Sequence, residues 1–376
     1  MVFSMKPISE QIRKTSMLAS VWFEDSINSN DLKRDYKKRN NIKVMIVPGH
    51  DDINSGAEYD GVSEASMNLR VAEYLYKYLN DNQRIDVTLS RDRQGYNKDL
   101  NNYLINKKDE IREFVYSQKD QMRRLMDAGE VDSYINIEHN TAPSRVVEIL
   151  YGINKYVNDN DYDIVIHIHF NDYAGRKVKD GEYSGYSIYV PEQQYSNAKA
   201  TKEFADSIAD SLDEIFPKSN LPKEGSVVES QDLIAIGSYN TADSISLLME
   251  YGYIYERQFH DPEIKDIIFN ELAYQTYLGI TDFFGDSIPR KNLDFVNNHV
   301  IQKSLTKGDS GKDVLALQVH LRNNDLYPLY PANLSGCPVN GYFGECTEKS
   351  LKEFQRRYDV EEYVYLGPKT RDLLKR

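Results

Sequence analysis

The chain has 376 residues, 40% of them hydrophobic and 28% charged, with a formal net charge of −13. That length accommodates two or three domains. The acidic balance argues against nucleic acid as a partner, because phosphate binding needs a basic face, and no stretch approaches the ~18–20 consecutive apolar residues that span a bilayer.

Residues 1–40 form a charged N-terminal segment with a weak helical pattern. Its "TSMLASVWF" is short and soon followed by acids, unlike an intact export signal. "KRDYKKRN" (Lys33–Asn40) reads as a solvated approach to the first strand. "IKVMIV" (42–47) is a continuous apolar run, as in a strand buried on both faces. A helix is expected from about Glu64 to Leu79, with Met67, Val71, Leu75 and Leu79 at helical spacing and Ser63 as N-cap. "IDVTLS" (85–90) is the second strand, and strand–helix–strand opens a parallel α/β sheet.

Residues 95–140 differ. They carry a long charged helix with a sparse apolar stripe, Ile111, Phe114, Val115, Met122, Leu125 and Met126, suited to lying across the surface of a domain. A crossover helix (145–157) leads into "DIVIHIHFN" (163–171), an apolar strand holding two histidines. A strand at 186–190, a helix at 197–216, a strand at 244–254 ending in Glu-Tyr-Gly and a helix at 262–284 complete an α/β domain over 41–286, a mostly parallel open sheet flanked by helices. Residues 287–304 carry turn residues and little periodicity and read as a linker. Residues 305–376 read as a small all-α three-helix module. Within it "FGECTEKSL" (343–351) is echoed by "LGPKTRDLL" (366–374), each with Gly, two residues, Thr and a helix. Two cysteines, Cys337 and Cys346, are too few for a zinc motif or a disulfide-built scaffold; a bridge between them and two separate buried thiols are equally compatible with the spacing.

Four positions carry the chemistry. His50 follows a buried strand, Glu64 opens the next helix, His169 lies near the end of a second buried strand and Glu250 ends a third. In an open α/β sheet the strand ends converge on one crevice. Two imidazoles and a carboxylate suit a catalytic zinc with a position left for water, and a further carboxylate can take that water's proton. Each residue alone also has an ordinary reading: a turn histidine, a carboxylate at a helix N-terminus, an acceptor at a strand end. His167 and His169 share one face of their strand, where unpartnered imidazoles are costly, and spacing does not choose between them.

Residues 42–91 resemble the start of the zinc-dependent N-acetylmuramoyl-L-alanine amidases of the amidase 3 family. The landmarks are "IVPGH", "SGA", "GVSEASMNLRVAEYL" and "VTLSRD". "HIHFN" stands where that family has Ser-Ile-His-Ala-Asn, and "LLMEYGYI" matches its last strand. The resemblance covers about 240 residues in order. It implies His50, Glu64 and His169 as ligands of one zinc per chain and Glu250 as the catalytic glutamate, with His167 and Asn171 supporting them from behind. Three departures stand out: Asp51-Asp52 replaces Gly-Gly and adds charge near the metal, His167 replaces Ser, and the 95–140 insertion is long. Some relatives carry a helical insert there that a partner removes from the zinc. The insertion is expected either to wall the substrate groove, the favoured reading, or to cover the metal and answer to a regulatory partner, with Asp109, Glu110 or Glu113 in the open position. The segment from Leu305 resembles the peptidoglycan-binding type 1 module, through Gly-Asp-Ser-Gly, Leu-Gln, Gly-Tyr-Phe-Gly, Phe-Gln and Gly-Pro-Lys-Thr, with Asn340-Gly341 in place of Asp-Gly.

The resemblance implies hydrolysis of the amide between N-acetylmuramic acid and L-alanine, with peptidoglycan as partner and the cell envelope or the exterior as location. The rivals are a zinc peptidase acting within the stem peptide and a non-catalytic wall-binding protein.

Overall fold

In the computed structural model, the described residues are 26–374 apart from 39–40, 133–141, 174–175, 177–180, 232, 237–240, 242, 292, 295, 297–298 and 361–363. "TSMLASVWF" therefore lies outside them. The elements in chain order are α1 (Ser29–Lys37), β1 (Ile42–Pro48), α2 (Glu64–Asn80), β2 (Ile85–Leu89), α3 (Lys98–Asn106), α4 (Lys108–Asp127), α5 (Ser144–Asp159), β3 (Ile164–Asn171), β4 (Ser187–Pro191), α6 (Ala198–Leu212), β5 (Val227–Ser230), β6 (Ile245–Tyr253) and α7 (Lys265–Phe283). Helices α8 (Lys312–Asn323), α9 (Glu345–Arg357) and α10 (Pro368–Leu374) build the C-terminal module.

The sheet has six strands in the order β2-β1-β3-β6-β4-β5. Only the β6–β4 pairing is antiparallel, and the others are parallel. Strand β5 was not legible beforehand, because "VVES" is short and partly exposed at the sheet edge. Its pairing with β4 is a long-range event that local pattern does not report.

The two faces of the sheet differ. Ile164, Ile166, Ile168 and Phe170 of β3, with Val44, Ile46, Leu247 and Met249 on its neighbours, point into the main core. Helices α2, α6 and α7 close that side, with Val71, Leu75, Phe204, Ile208, Leu272 and Ile280 in the same cluster. The alternate residues Met45, Val47 and Val165 pack on the other side against Ile153 and Val157 of α5 and Leu100 of α3. Period-two alternation therefore sends His167 and His169 toward α5. Ser63 caps α2 as expected, its side chain accepting from Ser66 N.

The approach to β1 is not a solvated tail. Helix α1 buries Tyr36 completely, stacked on Phe284 at 4.2 Å between ring centroids, with its hydroxyl donating to Asp286. Described residues of the segment expected to be a linker also pack against the fold. Leu293, Val296 and Ile301 are buried, and Leu293 N donates to Glu271 Oε2 at 3.0 Å. Irregular backbone has no period, so its buried side chains give no pattern to read.

The C-terminal module docks on the same core, where Val314, Leu315 and Phe343 join Ile264 in one cluster. Arg257 lies over the Tyr342 ring at 4.3 Å, and Glu263 accepts from Lys312 N at the start of α8, where a carboxylate also meets the helix dipole. The internal echo has a shared device. Gln318 donates to Thr347 Oγ1 at 3.1 Å, and Gln355 donates to Thr370 Oγ1 at 3.2 Å. In each case a glutamine of the preceding helix fastens the next helix start. Cys337 and Cys346 are joined, with Cα atoms 5.7 Å apart.

Candidate metal centre

Strand β1 ends at Pro48, and the chain turns at once. Gly49 N donates to Ile168 O at 2.8 Å, which fixes the turn against β3. A Cβ on Gly49 would fall 2.1 Å from Cε1 of His169. A Cβ on Gly56 would fall 2.4 Å from Glu64 Oε2. Both glycines thus leave space for the side chains of His169, Glu64 and His50. His50 takes a φ of 62°, a left-handed conformation that a residue with a Cβ adopts at a cost of about 1–3 kcal/mol. The loop is held by Arg91, a buried guanidinium that donates to the carbonyls of Pro48, Gly49 and Ala65.

Glu64 is the first residue of α2 and is buried. His50 Nε2 lies 3.0 Å from its Oε2, and His169 Nδ1 lies 2.9 Å from its Oε1. Its Oε2 also accepts from Ala57 N. Burial alone would raise the Glu64 carboxyl, but the contacts with His169 and then His50 outweigh it and hold the group well below the usual carboxylate range. One atom from each of the three side chains falls within 4.8 Å of the others. Two nitrogens and one oxygen, with glycines clearing the approach, fit a tetrahedral divalent ion of the zinc type with one position left over.

Glu250 stands beside this cluster. Its strand β6 pairs with β3 so that Glu250 lies opposite His169, and it also lies opposite Ser187 of β4. Adjacent strands are about 4.8 Å apart. Burial raises the Glu250 carboxyl well above its ordinary value, and the negative charges of Glu64 and Glu224 add to the rise. Glu224 is anchored by Tyr189 Oη, at 2.5 Å, and Ser219 Oγ, at 2.6 Å.

His50, Glu64 and His169 thus meet in one cluster, and Glu250 lies opposite His169 on the next strand. His167 does not join the cluster: it lies one pleat deeper at 1% exposure, pushed down to about 3 by burial and then by His169. Asn171 ends β3, its carbonyl accepting from Ile254 N.

The charge expected from Asp51 is offset. Arg145 of α5 pairs with it at 2.7 Å, and Tyr96 Oη donates to it at 3.2 Å. In the insertion, Asp109 and Glu110 pair within their own helix region, with Arg112 and Lys107. Helix α4 lays Val115 and Phe114 against Val147, Tyr151 and Ile234. Among the described residues, no insertion carboxylate belongs to the ligand cluster. Arg91 and Asn68, whose Nδ2 donates to Gly49 O at 3.1 Å, were not singled out from the sequence. The one available signal was an arginine directly after a strand.

Residues 44–282 match the family model described as N-acetylmuramoyl-L-alanine amidase. The chain belongs to this amidase family. Residues 310–374 match the model of a putative peptidoglycan binding domain. The chain is therefore an amidase enzyme with a wall-binding module.

Among solved structures it is similar to the CwlD amidase of Clostridioides difficile, determined in complex with the GerS lipoprotein, at 18% identity over 65% of this chain and 99% of that one, with a TM-score of 0.43. It is similar to the amidase Ami1 of Mycobacterium smegmatis at 15% identity over 66% and 99%, TM-score 0.41. It is similar to AmiC2 of Nostoc punctiforme at 15% identity over 65% and 97%, TM-score 0.39. No curated protein matches the chain. Among the described residues no helix is long and apolar enough to cross a membrane.

Proposed function

We propose that this amidase uses one zinc ion, held by His50, Glu64 and His169, to hydrolyse the amide between the lactyl group of N-acetylmuramic acid and L-alanine in peptidoglycan. The observation that carries the reading is the meeting of those three side chains in one cluster, with Glu250 opposite His169. Zinc at such a site supplies Lewis acidity toward a carbonyl oxygen and acidifies water.

The chain's own residues supply the rest. Glu64 keeps its charge among the imidazoles. Arg91 and Asn68 fix the loop that presents His50. Glu250 accepts the proton of the attacking water as the new C–O bond forms. It returns that proton to the alanine nitrogen as the C–N bond breaks, leaving a free amine and a lactyl carboxylic acid, which loses its remaining proton to solvent. Its raised basicity suits both halves of the transfer.

The docked module would hold the enzyme on an insoluble polymer and raise the local concentration of substrate. Action at the wall places the protein in the envelope or outside the cell, and the Cys337–Cys346 bridge fits an oxidising compartment. Digestion of purified cell wall tests the proposal. The expected products are peptides with new L-alanine amino termini and intact glycan strands, and chelation should stop their release. New termini within the stem peptide, or chelator-insensitive release, would overturn it.

A further inference from the structure

Beside the metal cluster, between the sheet and α5, lies a recess of about 370 Å³. That is the size range of small-ligand pockets. Its mouth is polar, with His50, His169 and Glu250, and its depth is walled by Ile149, Leu150, Ile234, Ala235 and Leu248. His167 also lines it. Val47 and Leu248 flank His167 in register on the adjacent strands. Neither ring nitrogen of His167 has a hydrogen-bonding partner among the described residues, and the side chain is 1% exposed. A buried imidazole left so costs about 1–3 kcal/mol. It sits two residues below His169, about 6.6 Å along the strand.

The lining selects the occupant. Sugar hydroxyls against isoleucine and leucine would go unsatisfied, and a buried carboxylate would find the lining Arg145 already paired with Asp51, so a charged group gains little here. An alkyl group with a neighbouring amide satisfies both the walls and the imidazole, which offers one donor or one acceptor. The glycan offers an amide only beside single methyl groups, in its N-acetyl and lactyl units, whereas an amide beside a run of methylenes belongs to the stem peptide. We propose that the recess is a subsite for an aliphatic, amide-bearing segment of the stem peptide, with His167 at its floor hydrogen-bonding that segment. The proposal rests on the metal reading above only for what is anchored at the mouth. His167 is a positioning residue here and touches no reacting atom.

Two probes separate the proposals. On zinc-loaded full-length protein, calorimetry compares acetohydroxamate with hexanohydroxamate. The metal centre predicts binding of the first, and the recess predicts a gain of about fourfold for each added methylene. Ala235→Leu and Leu150→Phe each add bulk to the apolar lining of the recess and should each abolish that gain. On metal-free protein, hexanamide should bind without any anchor. His167→Leu should weaken it about threefold to tenfold without lowering the unfolding midpoint, and His167→Gln, which keeps a donor and an acceptor, should restore most of the loss. Equal affinity for the two hydroxamates, with no hexanamide binding, would overturn the subsite and leave the metal reading standing. Absence of zinc and of acetohydroxamate binding would overturn the metal reading, while hexanamide on the metal-free protein still decides the recess.

Discussion

Glu271 offers a quantitative test of how the chain between the catalytic domain and the wall-binding module is held. It is 4% exposed on α7, where its Oε2 accepts from Leu293 N at 3.0 Å and its Oε1 from Gln275 Nε2 at 2.7 Å. Burial raises its carboxyl from 4.5 to about 7, against the lowering effect of these two hydrogen bonds. Between those values the folded chain keeps a proton that the unfolded chain has released. Stability is therefore lost as pH rises through that window and levels off above it. At about 1.36 kcal/mol for each pH unit, the loss is about 3 kcal/mol. Glu271→Gln removes the titration and keeps an oxygen for Leu293 N, while a flip of the Gln275 amide presents an acceptor to the new NH2. Urea unfolding of both full-length proteins from pH 4.5 to 8 should show the variant gaining on the native chain as pH rises. The gain should approach about 3 kcal/mol near pH 8. Parallel curves would refute the buried, protonated carboxyl and with it the packing of Leu293 against Glu271.

Glu250→Gln should keep its zinc and lose turnover by about 10²–10⁴, the scale of general acid–base catalysis; metal analysis beside the wall assay checks it, and near-normal turnover would sink the role. His169→Ala should drop zinc well below one ion per chain, whereas His167→Leu should retain it; the reverse pattern in mass-spectrometric metal content would exchange their assignments. Glu250 must be ionised to accept a proton, so activity falls as pH drops through its raised value. Glu224→Gln removes one of the charges that raise it, and should move the acid limb of kcat/KM to lower pH; an unmoved limb counts against Glu224. Reducing the Cys337–Cys346 bridge, which closes a loop of nine residues in sequence separation, should weaken the module by about 2–3 kcal/mol, read as a lower melting midpoint with reductant; an unchanged midpoint argues against the bond.

Much of the site was written in local pattern. The run 42–47 reports burial on both faces, Ser63 and Glu64 report a helix start, and the alternation in "IVIHIHF" sends two histidines to one side. Each is a statement about neighbours a few residues apart, where steric and hydrogen-bonding preferences act directly. The Gly-x-x-Thr echo was legible for the same reason, although the glutamines that fasten it were not. What pattern could not supply was distance between remote parts of the chain. Arg91 reaches carbonyls of Pro48 and Gly49, Arg145 neutralises Asp51, β5 joins the edge at β4, and Leu293 finds Glu271. Alternation told that His167 faces the same way as His169. Only the packing of α5 and residues 233–236 over the sheet decided that one histidine meets a carboxylate at the rim and the other ends on the floor of an apolar recess. Side-chain direction is set by the backbone's own period, but depth is set by what the rest of the chain lays on top.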